Sequence, residues 1–555
     1  MSQTHFQHWP LGLPRHLSTP QTSLYYNLEV SARRFSDRDA IVFYDSRISY
    51  SELKNQVDVL AGYLQQRCGV KRGDRVLLYM QNSPQFIIGY YAILRADAVV
   101  IPVNAMNKAI ELAHYAKDTE ATTILGAQDL YEQVREVQRS GDTDLRHVVV
   151  ATYSDYLTKP TELSVPDFVS QPPIDCSPAT AWRDALAAGL APGPHLAQPD
   201  DLSVMPYTSG TTGHPKGCVH THRTAMHTTV GSMVWGYAQT EVILAVMPMF
   251  HVTGMQSGIN GPIYTASTIV VMPRWDRDTA SALISRYQVS HWTCTPTMVV
   301  DMLSNPDLGR YDFSSLRLMR GGGAAMPEAI AQKLKDLCNI EFVEGYGLSE
   351  TMMTSHTNPV QRPKKQCLGI PIFDTESRVI DPATLKELPP GEVGEIVTSG
   401  PQIFLEYWRN PEATKQAFLH IDGKRFFRTG DLGSTDADGY FFITDRLKRM
   451  INASGFKVWP AEVEALLYRH PDILEACIVS TPDTYRGESV KAIVVLKQGS
   501  RGKVSEDDVI RWAKENMAAY KYPRVVEFVD ALPKSATGKV QWRELQEQER
   551  ARKAA

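Results

Sequence analysis

Cysteine is scarce: the chain has seven in 555 residues, at positions 68, 176, 218, 294, 338, 367 and 477, odd in number and tens of residues apart. Such spacing suits neither a disulfide framework nor a zinc site, and a reducing, cytoplasmic location is the expectation. An excess of either charge is also missing. The 58 basic and 62 acidic residues are spread along the chain and leave a formal net charge of −4, which excludes the electrostatic footprint of a nucleic-acid binder. No apolar run is long enough to cross a membrane. The longest, Phe86 to Val103, is interrupted by Arg95 and Asp97 and carries Pro102, so it is expected to be core. The opening stretch, "MSQTHFQHWPLGLPRHLS", lacks the basic-then-apolar order of a secretory signal. Internal repeats and low-complexity tracts are absent as well, and a homo-oligomer is compatible with all of this.

What is present is an ordinary folded composition, 43% hydrophobic and 22% charged, on a chain too long for one core. "RVLLYM" (75–80), "AVVIPV" (98–103) and "TTILG" (122–126) are short β-rich runs, separated by segments of helical periodicity such as "AIELAHYAKDTEA". Strands alternating with helices predict an α/β fold with largely parallel sheets covered on both faces. Residues 153–201, rich in Pro, Ser, Thr and Asp, read as a long surface connection crossing between two subdomains. "GEVGEIVTSG" and "GYFFITD" read as strands of a smaller β-rich subdomain. After "DRLKRM" the pattern changes to a compact α+β unit of roughly a hundred residues, with Ser505 and Asp508 as a capping box. The expected division is therefore a large N-terminal domain, 1–446, and a small mobile C-terminal domain, 447–555.

The most informative stretch is "YTSGTTGHPKG" (207–217), which packs hydroxyl side chains, glycines and one lysine together. Backbone N–H groups freed by glycine, with hydroxyls and an ammonium, make a cradle for polyphosphate, and ATP is the natural candidate. It is not a Walker P-loop, because Gly213 is followed by His-Pro-Lys-Gly and not by Lys-Ser/Thr.

That stretch resembles the phosphate-binding signature of the adenylate-forming superfamily, which includes acyl-CoA synthetases, firefly luciferase and peptide-synthetase adenylation domains. Five further motifs stand in that family's order: "MPMFHVTG" (247–254), "GGGAAMP" (321–327), "GYGLSET" (345–351), "RTGDLG" (428–433) with "DRLKRMINASGFKVWPAEVE" (445–464), and "PKSATGKV" (533–540). The resemblance covers about residues 20 to 545. It implies a two-step reaction in which a carboxylate attacks the α-phosphate of ATP to give acyl-AMP and pyrophosphate, and the thiol of coenzyme A then displaces AMP.

The resemblance also implies roles. Thr208, Ser209, Gly210, Thr211, Thr212 and Lys216 would hold phosphates, with Glu350 as the carboxylate associated with Mg2+ and Ser349 as a hydroxyl donor where the family usually has Thr. Gly322, Gly323, Ala324, Gly345 and Gly347 would let backbone approach the base and the acyl adenylate, and Tyr346 offers a flat face for adenine. Asp431 and Arg446 would take the ribose hydroxyls. Lys539 is the implied catalytic lysine, a donor whose removal typically costs on the order of 10²–10³ in rate. Lys448 falls at the hinge, Gly455 on the path of the pantetheine arm, and Arg486, with Lys521 and Arg524 behind it, among the contacts to CoA phosphate. One departure stands near Lys539: the family often has Arg where this chain has Trp542, with Arg543 next.

His251 would flank the carboxylate end of the acyl pocket, whose expected lining includes Met233, Trp235, Met255, Ala324, Met352 and Met353. No Asp or Lys is placed there to hold an amino group, which disfavours amino-acid substrates. Flexible methionines suit a deformable apolar chain, and the wording "FKVWPAEVE" (456–464) is similar to bacterial medium- and long-chain fatty acyl-CoA ligases, so the resemblance implies a fatty acid of that length as substrate. An aromatic or alicyclic acid, and a carrier protein in place of CoA, are the alternatives. A non-catalytic nucleotide-binding regulator is expected to lack Lys539 or Glu350, and both are present.

Overall fold

The computed structural model describes residues 4–208, 215–323, 326–446, 449–453, 456–483, 487–535 and 539–554. Its contacts divide the chain into two compact units, one of His5–Glu376 with Ser399–Phe427, the other containing Ser377–Thr398 and Arg428–Ala555.

In the larger unit the runs read as strands pair as expected. Arg75–Tyr79 lies parallel to Val99–Val103 on one side and to Thr123–Ala127 on the other, followed by His147–Ala151. Leu202–Val204 and the antiparallel His220–Thr221 close one edge, giving a seven-stranded sheet among the described residues. A second, nine-stranded sheet has a parallel centre of Phe342–Tyr346, Leu318–Gly321, His291–Cys294, Val242–Ala245, Thr268–Val271 and Asp39–Phe43. Successive residues of a strand face opposite ways, so a sheet covered twice must feed two cores. Val76 and Leu78 enter the core that also takes Ile41, Phe43, Ile269 and Val271 of the other sheet, whereas Leu77 and Tyr79 enter an outer one. That shared core is filled by the helices Tyr25–Arg34, Tyr50–Gln66, Pro84–Arg95 and His222–Trp235.

The apolar run at 86–103 is a buried helix, Pro84–Arg95, then a buried strand, Val99–Val103. Among the described residues no helix is long and apolar enough to cross a membrane. The charges that interrupt the run tie down a neighbouring segment: Arg95 donates to the Gly193 carbonyl at 2.8 Å, and the Asp97 carboxylate accepts the N–H groups of Leu196 and Ala197. That segment belongs to residues 153–201, which differ from the plain connection expected. Thr180–Ala181 adds an edge strand parallel to His147–Ala151, and Trp182 after it is 1% exposed. A two-residue strand and a six-residue helix are too short to give a periodic signal.

The smaller unit holds a five-stranded sheet in which Ile473–Asp483 and Gly487–Leu496 form a long antiparallel pair, with Val525–Phe528 parallel to the second. Helices Pro460–Leu467 and Glu506–Asn516 cover one core with it. The Ser505–Asp508 capping box is formed. Ahead of this sheet, Arg428–Thr435 turns back as Phe441–Arg446, with Asp431 opposite Arg446. None of the seven cysteines forms a disulfide.

Three buried histidines make the larger unit acid-sensitive. Burial lowers His220 and His222 from 6.5 to about 4, and His356 to about 3. Below about 6.5 the unfolded chain takes up protons that these neutral folded rings do not, so stability is complete above that pH and is lost as pH falls toward 4. We expect a loss of about 1 kcal/mol per histidine per pH unit in that window. Melting temperatures from pH 7.5 to 5 check this, and a flat or rising profile contradicts it.

Candidate active site

The glycine and hydroxyl loop is closed at its base by an antiparallel ribbon in which Thr208 stands opposite Lys216 and Tyr207 opposite Gly217. Ser209, Gly210, Thr211 and Thr212 lie outside the described residues. The base is firmly held: the Tyr207 hydroxyl donates to Asp118 at 2.5 Å, His114 Nε2 lies 3.2 Å from the Pro215 carbonyl, and the Trp408 indole donates to the Asp118 carbonyl at 3.0 Å. Beyond the ribbon the chain runs against residues 405–408, with N–H···O bonds from Trp408 to Gly217, Val219 to Glu406 and Leu405 to Val219.

That pairing delivers a residue that sequence reasoning missed. The Tyr407 hydroxyl donates to Glu350 Oε1 at 2.6 Å, and the Lys216 ammonium sits 4.1 Å from the centre of the Tyr407 ring. Lys216 and Glu350, 134 residues apart in sequence, thus share one side chain as intermediary. Burial first, and the Glu350 charge second, push the Tyr407 phenol far above its ordinary value, so it stays a donor. Glu350 belongs to the short 3-10 turn Ser349–Thr351, which is pinned by the Phe404 N–H on the Glu350 carbonyl and by His220 Nε2 on the Ser349 carbonyl at 2.8 Å. Tyr407 stands in "LEYWRNPEAT", where nothing about residue type singles it out.

The predicted glycines cluster at the C-terminal ends of Leu318–Gly321 and Phe342–Tyr346, the edge at which parallel sheets bind ligands. The structure gives several of them a reason within the protein. A Cβ on Gly322 would stand 2.3 Å from the Gly345 carbonyl oxygen, one on Gly321 1.9 Å from that of Cys294, and one on Gly347 1.2 Å from that of Met353. Gly323 has φ +86°. Ala324 lies outside the described residues. The Tyr346 ring lies beside His356 at 5.6 Å between centroids. Met352 and Met353 take φ +48° and +96°, a strained geometry for bulky side chains that concentrates at functional sites. Glu344, also missed, is a buried carboxylate accepting the N–H groups of Met326 at 2.7 Å and Cys367 at 3.1 Å. Burial raises its pKa against those bonds.

His251 caps the helix Val252–Met255, its Nδ1 accepting the Thr253 N–H at 3.2 Å, so in the neutral ring the proton is on Nε2. The turn before it is fixed by Asn82, which accepts the Met249 N–H at 2.8 Å and donates to the Met247 and Met272 carbonyls. Five residues further the helix opens into a π turn, Gln256–Asn260. Of the expected acyl lining, Met233, Met255 and Met352 are buried. Trp235 is engaged in an edge-on aromatic cluster with Trp9 at 4.9 Å and Phe373 at 5.4 Å.

In the smaller unit Asp431 is fully buried on its strand. Lys539 is exposed and closes a tight loop, its carbonyl accepting the Ser535 N–H at 2.8 Å and its N–H donating to Ser535 Oγ at 3.2 Å. Lys448, Gly455 and Arg486 lie outside the described residues. Lys521 pairs with Glu462, and the Arg524 guanidinium lies 4.0 Å from the centre of the Tyr522 ring. Trp542, the departure from the motif, stacks against Arg449 at 5.4 Å.

These features meet matches from known proteins. The model for the AMP-binding enzyme family matches residues 28–408, and that for the AMP-binding enzyme C-terminal domain residues 462–539. The long-chain-fatty-acid–CoA ligase of Bacillus subtilis (strain 168) is 33% identical over 554 residues, covering 98% of this chain and 97% of that one. The long-chain-fatty-acid–CoA ligase of Escherichia coli O6:H1 is 31% identical over 577 residues, covering 100% and 99%. Among solved structures, the anthranilate CoA ligase AuaEII in complex with anthranoyl-AMP superposes with a TM-score of 0.82 at 25% identity, over 98% of this chain and 99% of that one. The chain belongs to the AMP-binding enzymes, the adenylate-forming superfamily. Within it, the chain is an AMP-forming acyl-CoA synthetase.

The contrast among the glycines can be measured. A Gly347→Ala variant, whose Cβ meets main chain at 1.2 Å, is expected to lose about 3 kcal/mol or more in denaturant unfolding. Gly345→Ala, with nothing nearer than 3.3 Å, is expected to lose about 1 kcal/mol. Equal losses contradict the main-chain account.

Proposed function

We propose that the protein joins a fatty acid to coenzyme A at the expense of ATP, through an acyl-AMP intermediate, releasing AMP and pyrophosphate. The observation that carries this reading is the Lys216–Tyr407–Glu350 arrangement at the base of the phosphate loop, a fixed cation and a fixed carboxylate on one rigid frame. The fatty acid is supported by the full-length similarity to long-chain-fatty-acid–CoA ligases from two bacteria. An aromatic acid is the second reading, favoured by the anthranoyl-AMP in the superposed ligase.

Carboxylate and triphosphate are both anionic, so their approach needs fixed positive charge and donors. In this reading Lys216 and the hydroxyls and N–H groups of residues 208–212 hold the phosphates, Tyr346 faces adenine, and Asp431 with Arg446 takes the ribose. His251, with its proton on Nε2, orients the acid and performs no proton transfer, since a carboxylate is already a nucleophile at neutral pH. Lys539 supplies the cation that meets charge developing in the adenylation step, and Lys448 is the hinge for exchange between the half-reactions. Gly455 and Arg486 serve CoA. Glu350, a carboxylate that accepts the Tyr407 hydroxyl, would serve Mg2+, an ion that arrives on the triphosphate and keeps phosphate and water ligands. Such an ion would neutralise charge at the α-phosphate. A cytoplasmic enzyme accords with seven cysteines outside any disulfide.

The test is AMP release with Mg2+ and ATP across straight-chain acids from acetate to palmitate plus benzoate and cyclohexanecarboxylate, each with and without CoA. CoA-dependent release peaking among the straight-chain acids is expected. A peak at benzoate moves the assignment to aromatic acids, and release that CoA never accelerates refutes a CoA acceptor. Lys539→Ala is expected to lower acyl-AMP formation by about 10²–10³ while thioester formation from preformed acyl-AMP persists, and equal loss of both steps refutes its role. Tyr407→Phe, by deleting a hydrogen bond to a charged group, is expected to slow acid-dependent ATP–pyrophosphate exchange roughly 10- to 100-fold with little change in melting temperature. Unchanged exchange would reduce Tyr407 to packing.

A further inference from the structure

A narrow cleft lies between the helix His222–Trp235, the π turn and the strands His291–Cys294 and Leu318–Gly321, lined by Met233, Ser257, Trp292, Thr293, Leu318 and Arg320. Half of that lining is apolar, as an acyl chain requires. Arg320 adds a charge to the polar half. It lies deep in the protein, where burial lowers it only to about 10, so at neutral pH it is a cation. Yet it keeps accessible surface, and it is part of the wall of the cleft.

Buried charges are normally paired, because an isolated one carries a large desolvation cost. No carboxylate of the described residues pairs with Arg320. Its guanidinium donates from Nη1 to the Ser232 carbonyl at 3.1 Å and weakly from Nε to Thr293 Oγ1 at 3.4 Å, which leaves most of its five N–H donors unused. The acid of the neighbouring cluster, Glu241, is taken by Arg317 and by the Ser290 hydroxyl. The hydroxyls of Ser232 and Thr228, one helical turn apart and buried, have no partner among the described residues. One cation without a counter-charge and two buried hydroxyls without a partner among the described residues therefore lie along this stretch of helix and strand. Helix capping accounts for part of it, since the Ser232 carbonyl is among the last four of its helix, but capping needs neither the charge nor the remaining donors.

Position gives the deficit a meaning. Arg320 is the last residue but one of its strand, Leu318–Gly321, and stands two residues before Gly322 of the glycine edge, about 7 Å along an extended chain. We propose that the acid activated here carries a second carboxylate, received by Arg320 with the Ser232 hydroxyl, while Met233 and Leu318 pack on the methylenes between. The inference rests on the ligase reading and narrows it from fatty acids in general to α,ω-dicarboxylic acids.

The test uses the full-length protein and CoA-dependent AMP release with matched pairs: hexanoate and adipate, octanoate and suberate, decanoate and sebacate. The diacid of at least one pair is expected to have the higher kcat/KM. Arg320→Met should lower that value about tenfold or more while leaving the monoacid unchanged or improved, and Arg320→Lys should retain part of the preference. Ser232→Ala, a one-atom deletion, should lower the diacid alone several-fold, and it decides the matter if Arg320→Met does not fold. Turnover of monoacids with diacids ignored, or a diacid-to-monoacid ratio unmoved in both Arg320→Met and Ser232→Ala, overturns the inference and leaves the ligase intact, with Arg320 a helix cap. Absence of AMP release with every acid overturns the ligase reading and the inference with it.

Discussion

A parallel strand that is apolar on both faces has to be covered twice, and the large unit is arranged around that requirement. Its two sheets meet it jointly, each giving one face to a common core of helices and the other to a core of its own. The helices in the middle are therefore buried nearly all round. Twelve of the fourteen residues of His222–Trp235 are buried, polar ones included. A helix in that position cannot shed its Thr, Ser and His side chains into water, so each must find a partner inside. His222 accepts the Leu24 N–H, His227 donates to the Phe373 carbonyl, and Thr229 donates to Gln256. Against that pattern the hydroxyls of Thr228 and Ser232 stand out as having no partner among the described residues.

The same close packing decides where glycine is compulsory. Strand ends and turns converge at the C-terminal edge of the nine-stranded sheet, and Gly321, Gly322 and Gly347 are the points at which one main chain passes another too closely for any Cβ. Once these crossings are fixed, the turn after Tyr346 must double back within a few residues. Met352 and Met353 then absorb the geometry in left-handed conformations. The strain sits two or three residues after Glu350, whose turn is held on the other side by His220 and Phe404. Bonds on both flanks keep the carboxylate in place although the backbone beside it is in a costly region.

Much of this was legible in the sequence. The parallel α/β plan followed from runs such as "RVLLYM" and "AVVIPV", because a doubly covered strand must be apolar throughout. The α+β character of the last hundred residues followed from its caps and alternation. Of the site, the charged and glycine-rich positions could be named because motifs record residue type. Tyr407, Glu344 and Asn82 could not be named. Each acts through a contact made by folding: Tyr407 by strand pairing with residues nearly two hundred positions away, Glu344 by gathering two loops, Asn82 by clamping the turn before His251. Residues 153–201 were misjudged for a related reason, since the burial of Trp182 depends on a sheet edge that only the tertiary structure supplies.

The role of Tyr407 follows from what a direct bond would do. Were Lys216 to pair with Glu350, each would be satisfied by the other, and an incoming polyphosphate would have to break a charge-assisted bond before either could act. With the phenol between them the two charges face different parts of one ring: the ammonium its electron-rich face, the carboxylate its hydroxyl proton. Neither contact uses up the charge. Lys216 meets the ring through its charge and not through a hydrogen bond, and Glu350 accepts the phenol proton through one oxygen, Oε1. The high pKa of the phenol keeps the proton on oxygen, so the relay does not collapse into a third charge. Opposite charges held close on one ring are what a site needs when its ligand carries both an anion and its counter-cation, and Tyr407 is the side chain that holds them so.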